Sequence, residues 1–242
     1  MIQARINKTS LRSVDCIKSL SSTSEFGFNW HDLRPHTRMP SLALTGNIGS
    51  GKSVALDLLV SLIQEAGMTA VRFSADEENR TLLERDPGVR ELIRSSLGAD
   101  CYTPDGLPNR ETISLRISTD PQARNTLEGI LHPRLERIWK PLAEAHRLPN
   151  QTFFVAEIPL LYEKGLFSFF DKVLVVGCSD SIRMERLLKS RSVSAAKAEK
   201  WLALQQPQNE KISQADHLLW NDGTLETLNG QISGFLRTFN TS

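Results

Sequence analysis

A glycine-rich octapeptide, Gly46–Ser53 with the sequence GNIGSGKS, constrains this chain more than any other feature. It lies between an apolar run at Ser41–Thr45, which predicts a short strand, and the segment Ser53–Ala66, whose apolar residues recur at helical spacing. The octapeptide fits the pattern G-x-x-x-x-G-K-[ST] and has the strand before it and the helix after it that this pattern requires. It therefore predicts a loop that binds the phosphates of a nucleoside triphosphate.

Each part of this loop has a physical role in triphosphate binding. Glycines let the backbone come close to a phosphate, consecutive N–H groups point at it, and the following helix adds the positive end of its dipole. Lys52 is expected to reach the β- and γ-phosphates, and the Ser53 hydroxyl to bind Mg²⁺. The residues that we expect to contact the nucleotide are Gly46, Asn47, Ile48, Gly49, Ser50, Gly51, Lys52, Ser53 and Val54.

Strand-like and helix-like segments alternate along the rest of the chain, which predicts an α/β fold with a parallel sheet covered by helices on both faces. Pro133 and Pro141 are expected to break the longest helical region into pieces. The predicted strands are Ser41–Thr45, Met68–Phe73, Thr152–Ala156, Lys172–Val176 and His217–Trp220. The predicted helices are Ser53–Ala66, Glu77–Leu97, Arg110–Arg147, Ile182–Lys189, Ala195–Gln206 and Leu225–Phe239.

The composition argues against several other classes of protein. Of the 242 residues, 40% are hydrophobic and 24% are charged, and the net charge of +1 directs no overall field at nucleic acid or at an acidic membrane. No run approaches the ~20 apolar residues of a membrane span. The three cysteines, Cys16, Cys101 and Cys178, are far apart and suggest neither a disulfide framework nor a zinc site. We expect a soluble cytoplasmic protein, either a monomer or a small homo-oligomer, with no nucleic-acid or membrane partner.

Residues 1–40 differ from the rest of the chain. They are rich in Ser and Thr, lack sustained periodicity and contain no apolar core of a secretory signal. We expect a leader that is disordered or that results from a mis-assigned start, since Met39 immediately precedes the first strand. A functional targeting segment is the alternative, because the first residues contain few acids.

A phosphate-binding loop by itself occurs in GTPases, motors, ATPase machines and small-molecule kinases. The N/T-K-x-D box that specifies guanine is absent, and the chain is too small for most ATPase machines. A compact kinase needs three further parts: an acid that orients the acceptor, an acid on the Mg²⁺ side and a mobile basic lid. The sequence offers a candidate for each.

Two acids follow predicted strands, at the edge of the sheet where α/β proteins bind ligands. Asp76 comes just after the second strand and is placed to accept the proton of an acceptor hydroxyl; a helix N-cap is the alternative. Glu157 is the first charged residue after the third strand and is placed to hold a Mg²⁺-bound water; a plain strand-end residue is the alternative.

The candidate lid begins on the helix after the fourth strand. Arg183, Arg186, Lys189 and Arg191 lie on this helix and at its exit, and a second polar helix follows. Arginine presents a forked cation that matches phosphoryl oxygens, and a segment that swings over the site excludes water. A solvated basic face is the alternative interpretation.

Segments between about Leu42 and Phe239 match an ordered set of motifs. LTGNIGSGKS matches a phosphate loop, and SADEENR resembles a D-A-D segment. DGLPNRETI matches a D-G-x-x-x-R stretch and ILHP an H-P motif. EIPLLYEKGLF matches a P-L-L-x-E stretch, DKVLVV a fourth strand, and ALQQPQNEKISQADHLLWNDG a spaced Q…E-K…A-D…N-x-G tail. Together these segments resemble the dephospho-coenzyme A kinase family, and the P-L-L-x-E stretch and the tail are the most specific of them.

The resemblance implies ATP-dependent phosphorylation of the ribose 3′-hydroxyl of dephospho-CoA, the last step of coenzyme A synthesis. It implies a three-layer P-loop fold over residues 41–242 with a parallel five-stranded sheet. A helical acceptor-binding region is expected at about 77–150 and a lid at about 183–208. The implied cofactor is ATP, and the Ser53 hydroxyl and Glu157 are the expected Mg²⁺ residues.

The resemblance also assigns individual residues by match of motif. Asp76 stands at the acid that activates the acceptor, and Lys52 and Arg191 at further catalytic positions. Thr45 and Asn221 stand at nucleotide-binding positions. The acceptor-binding positions are Asp76, Arg110, His132, Glu163, Gln205 and Lys211. For His132 the alternative is a histidine that shapes the acceptor region.

The chain departs from the family pattern at a few positions. Ser74 replaces the first acid of D-A-D, Val54 and Ile117 replace a common threonine and phenylalanine, and SRSVS differs from the usual lid turn. None of these removes Lys52 or Asp76, so a working enzyme is expected. The alternatives are another P-loop nucleoside or nucleotide kinase, and a catalytically weakened ATP-binding regulator.

Overall fold

The computed structural model describes residues 39–146, 152–191, 194–203 and 205–240, with the backbone alone at positions 190, 191, 197 and 240. Of the expected leader, residues 1–38 lie outside the described residues, whereas Met39 and Pro40 are buried. The Pro40 carbonyl accepts the N–H of Phe154 at 3.3 Å. The chain therefore joins the sheet just ahead of the first strand.

One parallel sheet occupies the centre of the described part. Its strands are β1 (Ser41–Thr45), β2 (Thr69–Ser74), β3 (Thr152–Glu157), β4 (Lys172–Gly177) and β5 (His217–Trp220). Their order in the sheet is β2-β3-β1-β4-β5, and all neighbouring pairs are parallel. β1, β3 and β4 are buried along almost their whole length, as strands covered on both faces must be. The predicted α/β fold is confirmed.

The carboxyl ends of three strands lie side by side. In register, Glu157 at the end of β3 pairs with Leu44 of β1 on one side and with Ser74 of β2 on the other. The segment Gly46–Ser53 begins directly after β1. This one edge of the sheet therefore brings together the phosphate loop, the Glu157 carboxylate and the start of the helix that follows β2.

Helices cover the sheet and form a separate helical region between β2 and β3. They are α1 (Lys52–Glu65), α2 (Ala75–Arg85), α3 (Pro87–Leu97), α4 (Arg110–Thr119), α5 (Pro121–Ala145), α6 (Asp180–Arg191), α7 (Ala195–Ala203), α8 (Gln208–Gln214) and α9 (Leu225–Arg237), with short 3₁₀ turns at Ala99–Cys101, Leu166–Phe169 and Thr238–Asn240. Within the described ranges, no helix combines the length and the apolar character that a membrane crossing needs.

Two Asp-Pro pairs set the helix boundaries in the region between β2 and β3. The Asp86 side chain accepts two N–H groups of the next turn, at 2.8 and 3.0 Å, and so caps α3. Asp120 accepts one at 2.8 Å and caps α5. The proline after each aspartate suits the first helical turn, where its missing N–H costs nothing. Both predicted helical regions, Glu77–Leu97 and Arg110–Arg147, contain helices, and the structure divides the first at Asp86 and the second at Asp120.

The prediction that Pro133 and Pro141 break the long helix is wrong. Both lie inside α5, which runs without interruption for 25 residues. A proline inside a helix loses one backbone hydrogen bond and introduces a clash. Burial of apolar side chains, among them Leu131, Leu135 and Trp139, offsets this cost and keeps the helix continuous.

The helix α5 links two hydrophobic clusters. Its first half packs with α3 and α4 in a cluster that includes Val89, Ile113 and Leu127. Its second half packs on the sheet through Trp139, whose ring stacks on Phe170 with centroids 5.4 Å apart. The helical region and the sheet therefore have separate apolar cores that meet along one helix.

A side chain of α9 forms hydrogen bonds with the backbone at the end of the outer strand β5. The N–H of Trp220 donates to Gln231 Oε1, and the Gln231 amide donates to the carbonyl of Trp220, both at 2.8 Å. The amide group of Gln231 thereby satisfies both backbone groups of the last residue of the strand.

Candidate active site

Gly46 and Gly51 of the phosphate loop combine a positive φ with a close approach to later segments of the chain. Gly46 has φ of 150°, and a Cβ there would collide with the carbonyl oxygen of Val176 in β4. Gly51 has φ of 90°, and a Cβ there would collide with the side-chain nitrogen of Asn221. Only glycine allows both the backbone conformation and the close approach. The loop is thus packed against β4 and against the segment after β5.

Two side chains from later in the chain fasten the second half of the loop. Asn221 donates from its amide to the carbonyl of Ser50 at 2.8 Å. Arg186, on α6, donates to the carbonyls of Gly49 and Ser50 at 3.4 and 3.3 Å and to that of Asn221 at 2.8 Å. Asn221, a predicted nucleotide-binding residue, therefore contacts the loop itself. Arg186 was not predicted to contact it, since no local pattern in the sequence relates α6 to this loop.

The first half of the loop is fastened by the segment between α7 and α8. Gln205 accepts the N–H of Ile48 at 2.6 Å, and the carbonyl of Gln206 accepts the Asn47 amide at 3.0 Å. The Asn47 carbonyl in turn accepts the Lys52 ammonium at 3.2 Å. Gln205, a predicted acceptor-binding residue, is placed by the structure on the nucleotide loop.

Glu157 lies at the mouth of the loop among hydroxyls and charges. Ser53 donates to its two carboxylate oxygens, both at 3.3 Å, and Ser74 donates to Oε2 at 3.1 Å. Glu157 is 1% exposed, and this burial is the main reason that its pKa is raised. The Lys52 ammonium acts against the rise and the Asp76 carboxylate adds to it. These charge effects place both side chains in the electrostatic surroundings of Glu157.

Asp76 lines a cleft of about 190 Å³ between α2, α5 and the segment after β3. It lies in the first turn of α2 and is exposed. The N-cap position of this helix belongs to Ser74, so the alternative interpretation of Asp76 as a helix N-cap is wrong. Asp76 therefore belongs both to the cleft and, through its effect on Glu157, to the surroundings of the phosphate loop.

One face of α5 forms a wall of this cleft. His132, Leu135, Glu136 and Trp139 line it, and their spacing places them on successive turns of one helix face. Burial lowers the pKa of His132, so its imidazole is predominantly neutral at pH 7. Of these four only His132 was predicted as a site residue. The helical spacing from His132 was the signal that would have found the others.

The segment after β3 is held by residues that were predicted to bind ligands. Thr45 donates to the carbonyl of Pro159 at 3.2 Å. Lys211 of α8 is 0% exposed and forms an ion pair with Glu163 at 2.7 Å. Glu163 and Lys211 are not among the residues that line the cleft, whereas the neighbouring Lys164 is. The ion pair between Glu163 and Lys211 therefore positions the segment after β3.

Two further predicted residues lie elsewhere or outside the description. Arg110 begins α4 and forms an exposed ion pair with Glu84 at 2.6 Å, and neither residue is among those that line the cleft. Arg191 is the last residue of α6, and its side chain lies outside the described part. The predicted lid corresponds to α6 and α7, with positions 192, 193 and 204 outside the description. The role of the lid stays a prediction.

The donor atoms at the loop suit a Mg²⁺ ion that binds together with phosphates. Mg²⁺ prefers oxygen ligands and is usually held by one or two carboxylates plus substrate phosphates. Glu157 and Ser53 supply a buried carboxylate and a hydroxyl side by side. Among the described residues, no group of three or more His, Cys, Asp or Glu side chains is arranged to hold a metal. The residues therefore fit an ion that the nucleotide helps to hold.

Comparison with known proteins places the chain in a family. The family profile described as dephospho-CoA kinase matches residues 41–227. The chain belongs to the dephospho-CoA kinase family. A relative named dephospho-CoA kinase from Anaeromyxobacter dehalogenans is 34% identical over 201 residues, which cover 82% of this chain and 91% of the relative. Another of that name, from Syntrophotalea carbinolica, is 31% identical over 191 residues, 79% of this chain and 88% of the relative.

Solved structures share the fold of this chain. The crystal structure of TT1252 from Thermus thermophilus superposes with a TM-score of 0.64 and 26% identity, over 85% of this chain and 100% of that one. A dephospho-CoA kinase from Campylobacter jejuni shares the fold, with a TM-score of 0.53 and 18% identity over 85% of this chain and 100% of that one. The predicted family, fold class and kinase activity are confirmed, and the family implies the use of ATP.

Proposed function

We propose that this chain transfers the γ-phosphoryl group of MgATP to the ribose 3′-hydroxyl of dephospho-CoA. The observation that carries the proposal is that the cleft and the phosphate loop lie at neighbouring strand ends, where Ser74, two residues before Asp76, donates to Glu157. Asp76 lines the cleft, and its charge acts on Glu157, which is hydrogen-bonded to Ser53 of the loop. A hydroxyl group bound in the cleft would thus lie between a carboxylate and the nucleotide phosphates.

Asp76 is the catalytic base in this proposal. Its side chain is exposed to the cleft, where a carboxylate accepts the proton of the acceptor hydroxyl and directs the oxygen at the γ-phosphorus. The neutral His132 and the ammonium of Lys164 line the same cleft and offer donors to polar groups of the acceptor. The apolar atoms of Leu135 and Trp139 offer a surface for an adenine ring.

The phosphate loop holds the nucleotide. Lys52 neutralises charge on the β- and γ-phosphates, and the backbone N–H groups of the loop bind their oxygens. Bound at Ser53 and Glu157, Mg²⁺ would supply charge neutralisation at the transferring group. Arg191, from the lid, would add a further cation and help to exclude water.

We further propose that residues 41–242 work as one kinase domain in the cytoplasm, as a monomer or a small homo-oligomer. The region of about 77–150 is the acceptor-binding part and the region of about 183–208 the lid. The net charge of +1 supports the absence of a nucleic-acid or acidic-membrane partner.

The test is an acceptor comparison with the full chain. The protein is incubated with MgATP and, in separate reactions, dephospho-CoA, AMP and adenosine, and the products are identified by mass spectrometry. We expect one phosphoryl group to be added to dephospho-CoA alone, at the 3′-position, and no transfer after chelation of Mg²⁺. Equal transfer to AMP or adenosine, or ATP hydrolysis without transfer, would overturn the proposal.

A further inference from the structure

Ser74 stands at the end of β2, next to the carboxylate that faces the phosphate loop. It is 4% exposed, pairs in register with Glu157 and donates to Glu157 Oε2 at 3.1 Å. The Ser53 hydroxyl reaches the same carboxylate from the loop, at 3.3 Å. Two hydroxyls from opposite sides therefore hold one buried carboxylate.

The charge at position 74 matters because the surroundings are already acidic. Glu157 is 1% exposed, and Asp76 is near enough to act on it, whereas Lys52 is the cation that acts on it. An acid at position 74 would add a like charge in a buried place, at considerable cost. A serine donates a hydrogen bond to the carboxylate and adds no charge.

The number of carboxylates also sets how well a protein binds a divalent ion without its nucleotide. Affinity for such ions rises with the charge of the ligand set. Ser74 carries no charge. In the described contacts, Glu157 is therefore the one carboxylate that is hydrogen-bonded to the Ser53 hydroxyl. Residues that orient a metal ligand by hydrogen bonding affect metal affinity strongly, although they do not touch the ion.

From this arrangement, and resting on the proposed function, we infer that Ser74 is a positioning residue of the Mg²⁺ site. Its hydroxyl aims the Glu157 carboxylate at the loop. Its neutrality leaves too little negative charge for the protein to hold the ion alone, so that Mg²⁺ binds together with the nucleotide.

The experiment measures Mn²⁺ binding by electron paramagnetic resonance, with the full chain alone and with ADP present. Mn²⁺ serves as the probe because it shares the oxygen ligands and the octahedral geometry of Mg²⁺. The variants are Ser74→Ala, which removes the donor, Ser74→Thr, which keeps it, and Ser74→Asp, which adds a charge. The matched controls, Thr69→Ala and Thr69→Asp, lie on the same pair of strands at the opposite edge, where Thr69 contacts Thr152 at 2.7 Å.

We expect Ser74→Ala to weaken Mn²⁺ binding in the ADP complex by about tenfold, and Ser74→Thr to restore it. Ser74→Asp should tighten Mn²⁺ binding to the nucleotide-free protein by about tenfold or more. Both Thr69 variants should bind Mn²⁺ as the unsubstituted chain does. Circular dichroism melting without metal checks that each variant is folded.

Two results would overturn the inference: Ser74→Ala with unchanged Mn²⁺ affinity in the ADP complex, or Ser74→Asp with no gain in the nucleotide-free protein. These results are separable from failure of the proposed function. A chain that shows the expected Mn²⁺ pattern and transfers no phosphoryl group to dephospho-CoA loses the function and keeps the role of Ser74. An active chain whose Ser74→Ala variant binds Mn²⁺ normally loses the role of Ser74 alone.

Discussion

The two sides of the active site are held by different kinds of contact. On the nucleotide side, the phosphate loop accepts hydrogen bonds from Arg186 and Asn221 and donates one to Gln205, and these side chains come from three separate later segments. On the acceptor side, the helical region has its own apolar cluster and an exposed ion pair between Arg110 and Glu84. Hydrogen bonds to buried groups contribute more to stability than exposed ion pairs do. The phosphate loop is therefore held by side chains from distant segments, whereas the acceptor side is held by its own apolar cluster.

The largest expected effect is at Asp76, which lines the cleft. Asp76→Asn keeps the size of the side chain and removes the base, so turnover should fall by about 10²–10⁴ while ATP affinity stays the same. Steady-state kinetics and calorimetric titration with ATP measure the two quantities. Glu78→Gln is the control, because Glu78 is on the same helix and does not line the cleft. Unchanged turnover in Asp76→Asn would exclude it as the base.

A second test compares a buried ion pair with an exposed one. Glu163→Gln leaves the Lys211 ammonium buried without its counter-charge and should lower the free energy of unfolding by about 3 kcal/mol. Glu84→Gln breaks the exposed pair with Arg110 and should cost about 1 kcal/mol or less. Urea unfolding measures both. Equal losses of unfolding free energy in the two variants would show that burial does not make the first ion pair the more important one for stability.

A smaller effect is expected where Gln205 holds the loop. Gln205→Met keeps the length of the side chain but cannot accept from the Ile48 N–H, so ADP should bind about three- to tenfold more weakly. Gln206→Met is the matched control, because in the described contacts Gln206 reaches the loop through its backbone carbonyl and its side chain bonds Glu210. Titration calorimetry with ADP measures the affinities. A similar loss in both variants would mean that the amide of Gln205 has no specific role.

The smallest effect is the pH dependence of stability from one histidine on each side. Burial lowers the pKa of His132 in the cleft wall and of His217 in β5 below the ordinary value of 6.5. As the pH falls through 6.5, the unfolded chain takes up these protons first, so this part of the stability is present above 6.5 and decreases toward the lower folded-state pKa values. Urea unfolding gives the free energy of unfolding at about pH 7.5 and 5.5. The difference between these two values should be smaller in His132→Gln and in His217→Gln than in the unsubstituted chain. An unchanged difference in both variants would contradict this assignment.

Local patterns predicted the nucleotide side of the fold well. The strand, loop and helix around Gly46–Ser53 are consecutive in the chain, so a local sequence pattern is enough to predict their structure. The family followed from the motifs, and the parallel sheet, with Glu157 and Asp76 at its edge, followed from the alternation of strands and helices. The contacts that fasten the loop could not be predicted, because Gln205 and Arg186 reach it only after the chain has folded.

The acceptor side was predicted less accurately for a related reason. The apolar spacing of α2 and α3 continues across Asp86, which hides the boundary that its side chain creates by capping α3. Pro133 indicated a break that the burial of α5 overrides. The ion pair of Glu163 with Lys211 joins residues far apart in sequence, so their motif spacing carried no information about their contact.

The side-chain amide of Gln231 has a consequence for how copies of this protein meet. An outer strand normally offers its free backbone groups to any other extended chain, which is a common start of aggregation. At Trp220 both groups are already occupied by Gln231, so an added strand would have to displace two hydrogen bonds there. When copies of the enzyme are crowded together, this end of β5 therefore resists pairing with a strand of another molecule.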